Sequence, residues 1–154
     1  IILELYFVGE NMSKFAERLS ELMSESQLNQ KMLAEKIEIS ETSLSHYLQD
    51  KHAPTVESLI KIADFFRCST DYLLGREEDN GELNFKSCPP FSKQIDFLKD
   101  YYKVKPYQIY NGTDISKSCY YDWKSGKRQP SLDNIIRLAD IFGCRIDFVL
   151  GRES

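Results

Sequence analysis

Two histidines, one tryptophan and four cysteines are all that 154 residues provide of these types, and their scarcity excludes several chemistries. His46 and His52 have no cysteine or acid at ligand spacing, so no metal site is expected and both are assigned to the surface. Cys68, Cys88, Cys119 and Cys144 are likewise scattered without metal-like spacing, which reads as buried thiols of a reducing compartment, the cytoplasm. Ser43 and Cys119 have no nearby histidine to activate them, so no catalytic constellation is visible, and neither a cofactor nor a small-molecule ligand is implied. No apolar run approaches the ~18 residues of a membrane helix. With 42% hydrophobic and 29% charged residues, the composition is that of a globular protein with helices enough to bury a core. The apolar start, IILELYFVGE, has no basic lead and no small-residue cleavage site, so it is not a secretory signal. Its ELYFVG stretch resembles an engineered protease-cleavage linker. Residues 1–12 are therefore read as an amino-terminal extension, of which 1–10 are set aside from functional reasoning, with Met12 as the expected natural start.

What the chain does contain is itself twice. A gap-free shift of 76 residues sets Phe15 on Phe91, Leu22 on Leu98, Ile39-Ser40 on Ile115-Ser116, Lys51 on Lys127, Pro54 on Pro130 and Ala63-Asp64 on Ala139-Asp140. The endings LLGRE at 73–77 and VLGRE at 149–153 coincide as well. Two copies are too few for a solenoid, which needs at least three stacked units, so the pattern is a duplicated domain. We expect one domain over residues 13–77, a linker over 78–90 where the apolar rhythm lapses into Asp-Asn-Gly and Pro-Pro, and a second domain over 91–154.

Within the first copy, Phe15, Leu19 and Leu22 recur at helical spacing. A short helix follows over QKMLAEKI with Leu33 and Ile37 inward. Ser40 then caps ETSLSHYLQD, whose inward stripe is Leu44, Tyr47 and Leu48. Thr55 caps a longer helix carrying Val56, Leu59, Ile60, Ala63 and Phe66, and Ser69 caps a last turn closed by Gly75. That makes five short helices and no strand per copy. The two central helices, about three residues apart, have the spacing of a helix-turn-helix, with Ala34 allowing close approach and Ile39 filling the angle. By spacing alone, a helical hairpin of some unrelated bundle is an equal alternative.

The segments LNQKMLAEKIEISETSLSHYL and WKSGKRQPSLDNIIRLADIFG resemble the Cro and repressor type of helix-turn-helix domain, the XRE family of bacteria and phages. The resemblance covers about 14–77 and 91–153, nearly all of the chain outside linker and tail. It implies an all-α protein of two tandem five-helix lambda-repressor-like helix-turn-helix domains joined by a short linker. It also implies double-stranded DNA as partner, with the third helix of each domain in the major groove. Carried over by position, Glu41, Thr42, Ser45 and His46 face bases in the first copy, and Lys117, Ser118, Tyr121 and Asp122 in the second. Gln30, Lys31, Lys51 and His52, and then Lys105, Lys124, Lys127 and Arg128, meet phosphates. A carboxylate accepts from cytosine N4, a threonine offers its methyl to thymine, and Lys117 suits guanine O6 and N7. Because the two base-facing sets differ at every position, the copies should prefer different half-sites.

The second copy departs from the family pattern. Pro106 replaces the glutamine, Tyr110 the small alanine, and Asn111-Gly112 should end the second helix early. Tyr110 is expected to widen the helix crossing or to point outward. Charge separates the copies too: residues 14–77 hold 8 basic against 11 acidic side chains, a net of -3, and residues 90–153 hold 11 against 8, a net of +3. The overall -4 is unpromising for a duplex binder, but distribution decides more than the total. The second copy is thus expected to supply attraction and the first selectivity.

Two copies on one chain suit either an intramolecular pseudo-dimer or a homodimer on half-sites about 34 Å apart. A linker of about 12 residues spans roughly 40 Å when extended and nearer 20 Å on average when flexible. The rival function is an antitoxin-like or adaptor protein in which one or both copies bind protein. The cluster Tyr101, Tyr102, Tyr107 and Tyr110 makes the second copy the candidate for that role.

Overall fold

The computed structural model describes residues 14–79 and 84–153 fully and residues 2–13 by their backbone only. The extension expected over 1–12, and the part of the linker at 80–83, lie outside the fully described residues. Among the described residues there are ten helices and no strand. The chain divides into two compact units, Ile1–Glu82 and Leu83–Ser154. The first holds α1 (Ile2–Glu25), α2 (Gln30–Ile37), α3 (Glu41–Leu48), α4 (Val56–Phe66) and α5 (Thr70–Leu73). The second holds α6 (Phe91–Tyr101), α7 (Pro106–Tyr110), α8 (Lys117–Ser125), α9 (Leu132–Phe142) and α10 (Ile146–Leu150).

Six of the described helices, α2–α5, α8 and α9, begin where a short polar side chain caps the first turn. The Ser40, Thr55 and Ser69 hydroxyls each accept the amide three residues on, at 3.1, 3.1 and 2.8 Å. Ser116 and Ser131 do the same in the second unit at 3.0 and 3.2 Å. Each satisfies one of the donors that a helix start leaves open, worth about 1 kcal/mol.

Both cores are built from the same positions. Leu19, Leu33, Leu44, Leu59, Ile62 and Leu73 are fully buried, as are their counterparts Ile95, Ile109, Tyr120, Ile135, Leu138 and Val149. At about 1.5–3 kcal/mol for each large apolar side chain buried, these outweigh any surface ion pair. The third helix is fastened to the first by an edge-to-face aromatic pair in each unit. Phe15 meets Tyr47 at 5.9 Å and 66°, and Phe91 meets Trp123 at 5.8 Å and 81°.

Several buried charged and polar groups are matched within their unit. The endings LLGR and VLGR place Arg76 beside the buried Asp71 at 3.5 Å and Arg152 beside Asp147 at 2.5 Å. Arg18, nearly buried, donates to the carbonyls of Tyr72 and Glu77 and lies 4.3 Å over the Tyr72 ring. Its counterpart Gln94 donates to the Phe148 carbonyl, the equivalent acceptor, at 3.0 Å. A cation and a neutral amide therefore perform the same task in the two units, closing a backbone acceptor that burial would otherwise strand. Part of the stretch expected as linker is held by the second unit. Phe85 stacks under the Arg152 guanidinium at 4.3 Å, and the Lys86 amide donates to the Arg152 carbonyl at 2.7 Å.

Left-handed backbone ends several helices, and the duplication shows what each site tolerates. Asp50 at φ 57 stands where the second unit has Gly126 at φ 79. A Cβ on Gly126 meets nothing within 4 Å, whereas one on Gly151 would fall 2.6 Å from Pro89 Cδ and 2.8 Å from Gln94 Oε1. Gly126→Ala is therefore expected to cost about 1 kcal/mol from backbone strain alone. Gly151→Ala should cost about 3 kcal/mol, because steric overlap adds to the same strain. Urea denaturation of the two variants, compared with the parent chain, measures the difference.

Candidate nucleic-acid interface

In the first unit, α2 and α3 meet across the turn Glu38 to Ser40. The close approach depends on Ala34, buried at the crossing, and on Ile39, buried in the angle. Glu38 takes the left-handed conformation at φ 55, and both its amide and that of Ile39 return to the Ala34 carbonyl. Lys61 on α4 donates to the Glu38 carbonyl at 3.3 Å, which fixes the turn against the body of the unit. The α2 start is capped by Asn29, whose side chain accepts the Met32 amide at 2.9 Å.

That arrangement directs Leu44 and Tyr47 inward and leaves the other face of α3 outside. Glu41 and Thr42 are exposed at the amino-terminal end, and Ser45 and His46 are half-exposed one turn on. Ser45 is engaged locally, its hydroxyl accepting from the Gln49 amide group at 2.9 Å. The His46 ring lies edge-on to His52 at 4.7 Å, so the two histidines, one assigned to bases and one to phosphates, form one exposed feature. Gln30 is half-exposed at the head of α2, and Lys31 and Lys51 are exposed.

The second unit keeps the plan with a different turn. Asn111-Gly112 ends α7 after Tyr110, and Gly112 is left-handed at φ 74. Thr113 then substitutes for the missing helical turn: its hydroxyl donates to the Ile109 carbonyl at 2.7 Å and accepts the Ile115 amide at 3.2 Å. Pro106 opens α7 as its first residue, and Gln108 accepts the Lys105 amide at 2.7 Å. On α8, Tyr120 and Trp123 turn inward, while Lys117, Ser118 and Tyr121 are exposed.

The basic residues of this face fall into two groups. Lys105, Lys117 and Lys127 are exposed and make no ion pair among the described residues. Lys124 lies 3.6 Å from Asp96 on α6, and Arg128 lies 3.7 Å from Asp122. Asp122, assigned to bases, is thus turned toward Arg128 and keeps only 18% of its side-chain exposure. Spacing gave no signal of these two pairs, since neither joins residues one helical turn apart.

The tyrosine cluster divides. Tyr107 and Tyr110 belong to α7 beside α8, whereas Tyr101 and Tyr102 join Phe97, Phe142 and Phe148 on α6, α9 and α10. In this second group Tyr102 stacks on Phe142 at 4.7 Å and 7°. Burial, aided by a hydrogen bond with Cys144, pushes the Tyr102 phenol up to about 12. Tyr110 does not point fully outward; it is half-buried against Tyr120 at 5.8 Å and Tyr121 at 6.2 Å.

A helix-turn-helix family model matches residues 19–73 and 111–149, one segment in each unit. Among curated proteins, the chain is 39% identical over 62 residues to the HTH-type transcriptional regulator ImmR of Bacillus subtilis, covering 40% of this chain and 49% of that protein. It is 30% identical over 93 residues to the HTH-type transcriptional regulator YobD of the same organism, covering 60% and 83%. To the cryptic phage CTXphi transcriptional repressor RstR of Vibrio cholerae it is 39% identical over 72 residues, covering 46% and 64%. The chain thus spans about half the length of ImmR. No solved structure matches.

Ser40 and Ser116 hold the ends of α3 and α8 that carry the outward residues. Ser40→Ala and Ser116→Ala should each destabilise their unit by about 1 kcal/mol. Amide hydrogen exchange should then be faster in the first turn of the affected helix than elsewhere in that unit.

Proposed function

The chain belongs to the Cro/repressor-type (XRE) helix-turn-helix family, and from that premise we propose that it is a sequence-specific, DNA-binding transcriptional regulator of the cytoplasm, acting as a repressor. The observation that carries this reading is the outward face at the head of α3 and α8, with Glu41 and Thr42 in one unit and Lys117 and Ser118 in the other. Both helices are short, capped and anchored from behind, so the outward side chains are presented on rigid supports. Repression is what the name of RstR states for that protein.

In this reading α3 lies in a major groove. Glu41 accepts from cytosine N4, Thr42 contacts thymine or a hydrogen-bonding edge, and Ser45 and His46 reach bases one turn on. Gln30, Lys31, Lys51 and His52 set the register on phosphates, which carry position rather than sequence. In the second unit Lys117 reads guanine O6 and N7 beside Ser118 and Tyr121. Lys105 and Lys127 neutralise phosphates, joined by Lys124 and Arg128 once DNA phosphate competes with Asp96 and Asp122. Asp122 is the weakest of the proposed base contacts because Arg128 already holds it. Linking two weak readers on one chain makes the second contact intramolecular at an effective concentration in the ~mM range, so neither half must bind tightly alone. The measurement is the salt dependence of binding by the whole chain to a duplex selected from random sequence. Affinity should fall steeply with salt, and Lys127→Ala should flatten the log-log slope by about 1. A complex indifferent to salt would contradict the reading.

A second reading concerns pairing of chains. Phe97 and Tyr101 are 48% and 59% exposed on a face where the equivalent positions of the first unit are Glu21 and Glu25, so the scaffold folds without aromatics there. We propose that a second copy of the chain covers this face, forming a homodimer. Replacing both residues with the acids of the first unit, Phe97→Glu with Tyr101→Glu, should convert dimer to monomer in light scattering and leave the fold intact.

A further inference from the structure

Three positions of α2 and α3 in the first unit, Ala34, Leu44 and Ser45, are all tyrosine in the second: Tyr110, Tyr120 and Tyr121. The first unit folds with a methyl, an isobutyl and a hydroxymethyl group at these positions, Ala34 and Leu44 being buried there. Folding therefore does not require rings at these places. The rings form a triangle: Tyr110 to Tyr120 at 5.8 Å, Tyr110 to Tyr121 at 6.2 Å, and Tyr120 to Tyr121 at 5.1 Å with an 87° edge-to-face tilt.

The three have different fates. Tyr120 is fully buried. Tyr110 is half-buried and shares a side-chain hydrogen bond with Tyr121. Tyr121 alone projects, at 45% exposure, from the groove-facing side of α8. On an open helix surface a tyrosine would sample several rotamers and would lose that freedom on binding. Here the Tyr120 edge and the Tyr110 hydroxyl select one orientation beforehand. With its hydroxyl engaged by Tyr110, Tyr121 brings an aromatic ring to the exposed surface. An apolar group in the major groove discriminates through the thymine 5-methyl.

We propose that Tyr110 is a positioning residue that holds the Tyr121 ring for contact with a thymine methyl group in the half-site read by α8. The proposal rests on the reading that α8 enters a major groove. Burial, and then the bond to Tyr121, raise the Tyr110 phenol above its ordinary value. The neighbouring Asp122 is held by Arg128 at 3.7 Å and does not compete for the same base pair.

The experiment uses the whole chain and a duplex chosen by selection from random sequence. Dissociation constants are then measured on a series in which each thymine is replaced singly by deoxyuridine, which lacks only the methyl. One thymine should show a loss of about fivefold, the scale of one apolar groove contact, and Tyr121→Ser, the residue of the first unit, should abolish that preference. Tyr110→Phe removes the hydroxyl and keeps the ring; it should reduce the same preference to below about twofold while the melting temperature, the salt slope and all other positions stay as in the parent. A methyl preference that Tyr110→Phe leaves unchanged, or a loss spread evenly over all positions, overturns the positioning role while DNA reading stands. A chain with no duplex affinity at all overturns the reading itself, and the inference with it.

Discussion

An eight- or nine-residue helix is too short to be stable by itself, since isolated helices below about 12–15 residues are marginal in water. Each outward-facing helix of this protein exists because something behind it holds it in place. In one unit that is the Phe15 and Tyr47 pair, in the other Phe91 and Trp123, with Leu44 or Tyr120 filling the layer beneath. Two inward side chains per helix suffice because the opposite face is then free to vary without cost to folding. The same constraint explains why the duplicated copies keep their inward positions apolar while the positions proposed to face bases have all changed.

Much of the fold was legible because it is written in local chemistry. Ser40, Thr55 and Ser69 announce helix starts by their capacity to accept an amide three residues on, and the hydrogen bonds lie at those places. Asn111-Gly112 announced a shortened α7 for an equally local reason. The inward placement of Leu44, Tyr47, Tyr120 and Trp123 followed from helical spacing checked against a second copy of the same helix.

What was not legible involves partners distant in sequence or unlike in type. Lys124 was assigned to phosphate from its position on α8, yet Asp96, on a different helix, lies within 3.6 Å of it. Arg76 and Arg152 appeared in the sequence only as part of the matching repeat endings, and each is paired with an aspartate inside its unit. A buried pair of this kind offsets its own desolvation more than it adds stability, and its worth is in forbidding other arrangements. Arg18 and Gln94 share no charge, so comparing the copies by residue type could not reveal that both close the same carbonyl. The half-buried placement of Tyr110 depends on two rings of the next helix, Tyr120 and Tyr121, and periodicity within α7 carries no information on them.

Phe85, Lys86 and Pro89 precede the first helix of the second unit, yet they are part of its body. A fragment cut to begin at Phe91 would strip the aromatic cover from the Arg152 guanidinium, the amide from the Arg152 carbonyl and the proline ring from beside Gly151. The smallest self-sufficient second module therefore starts near Phe85, and its amino-terminal strap is as much a component of the globule as its helices.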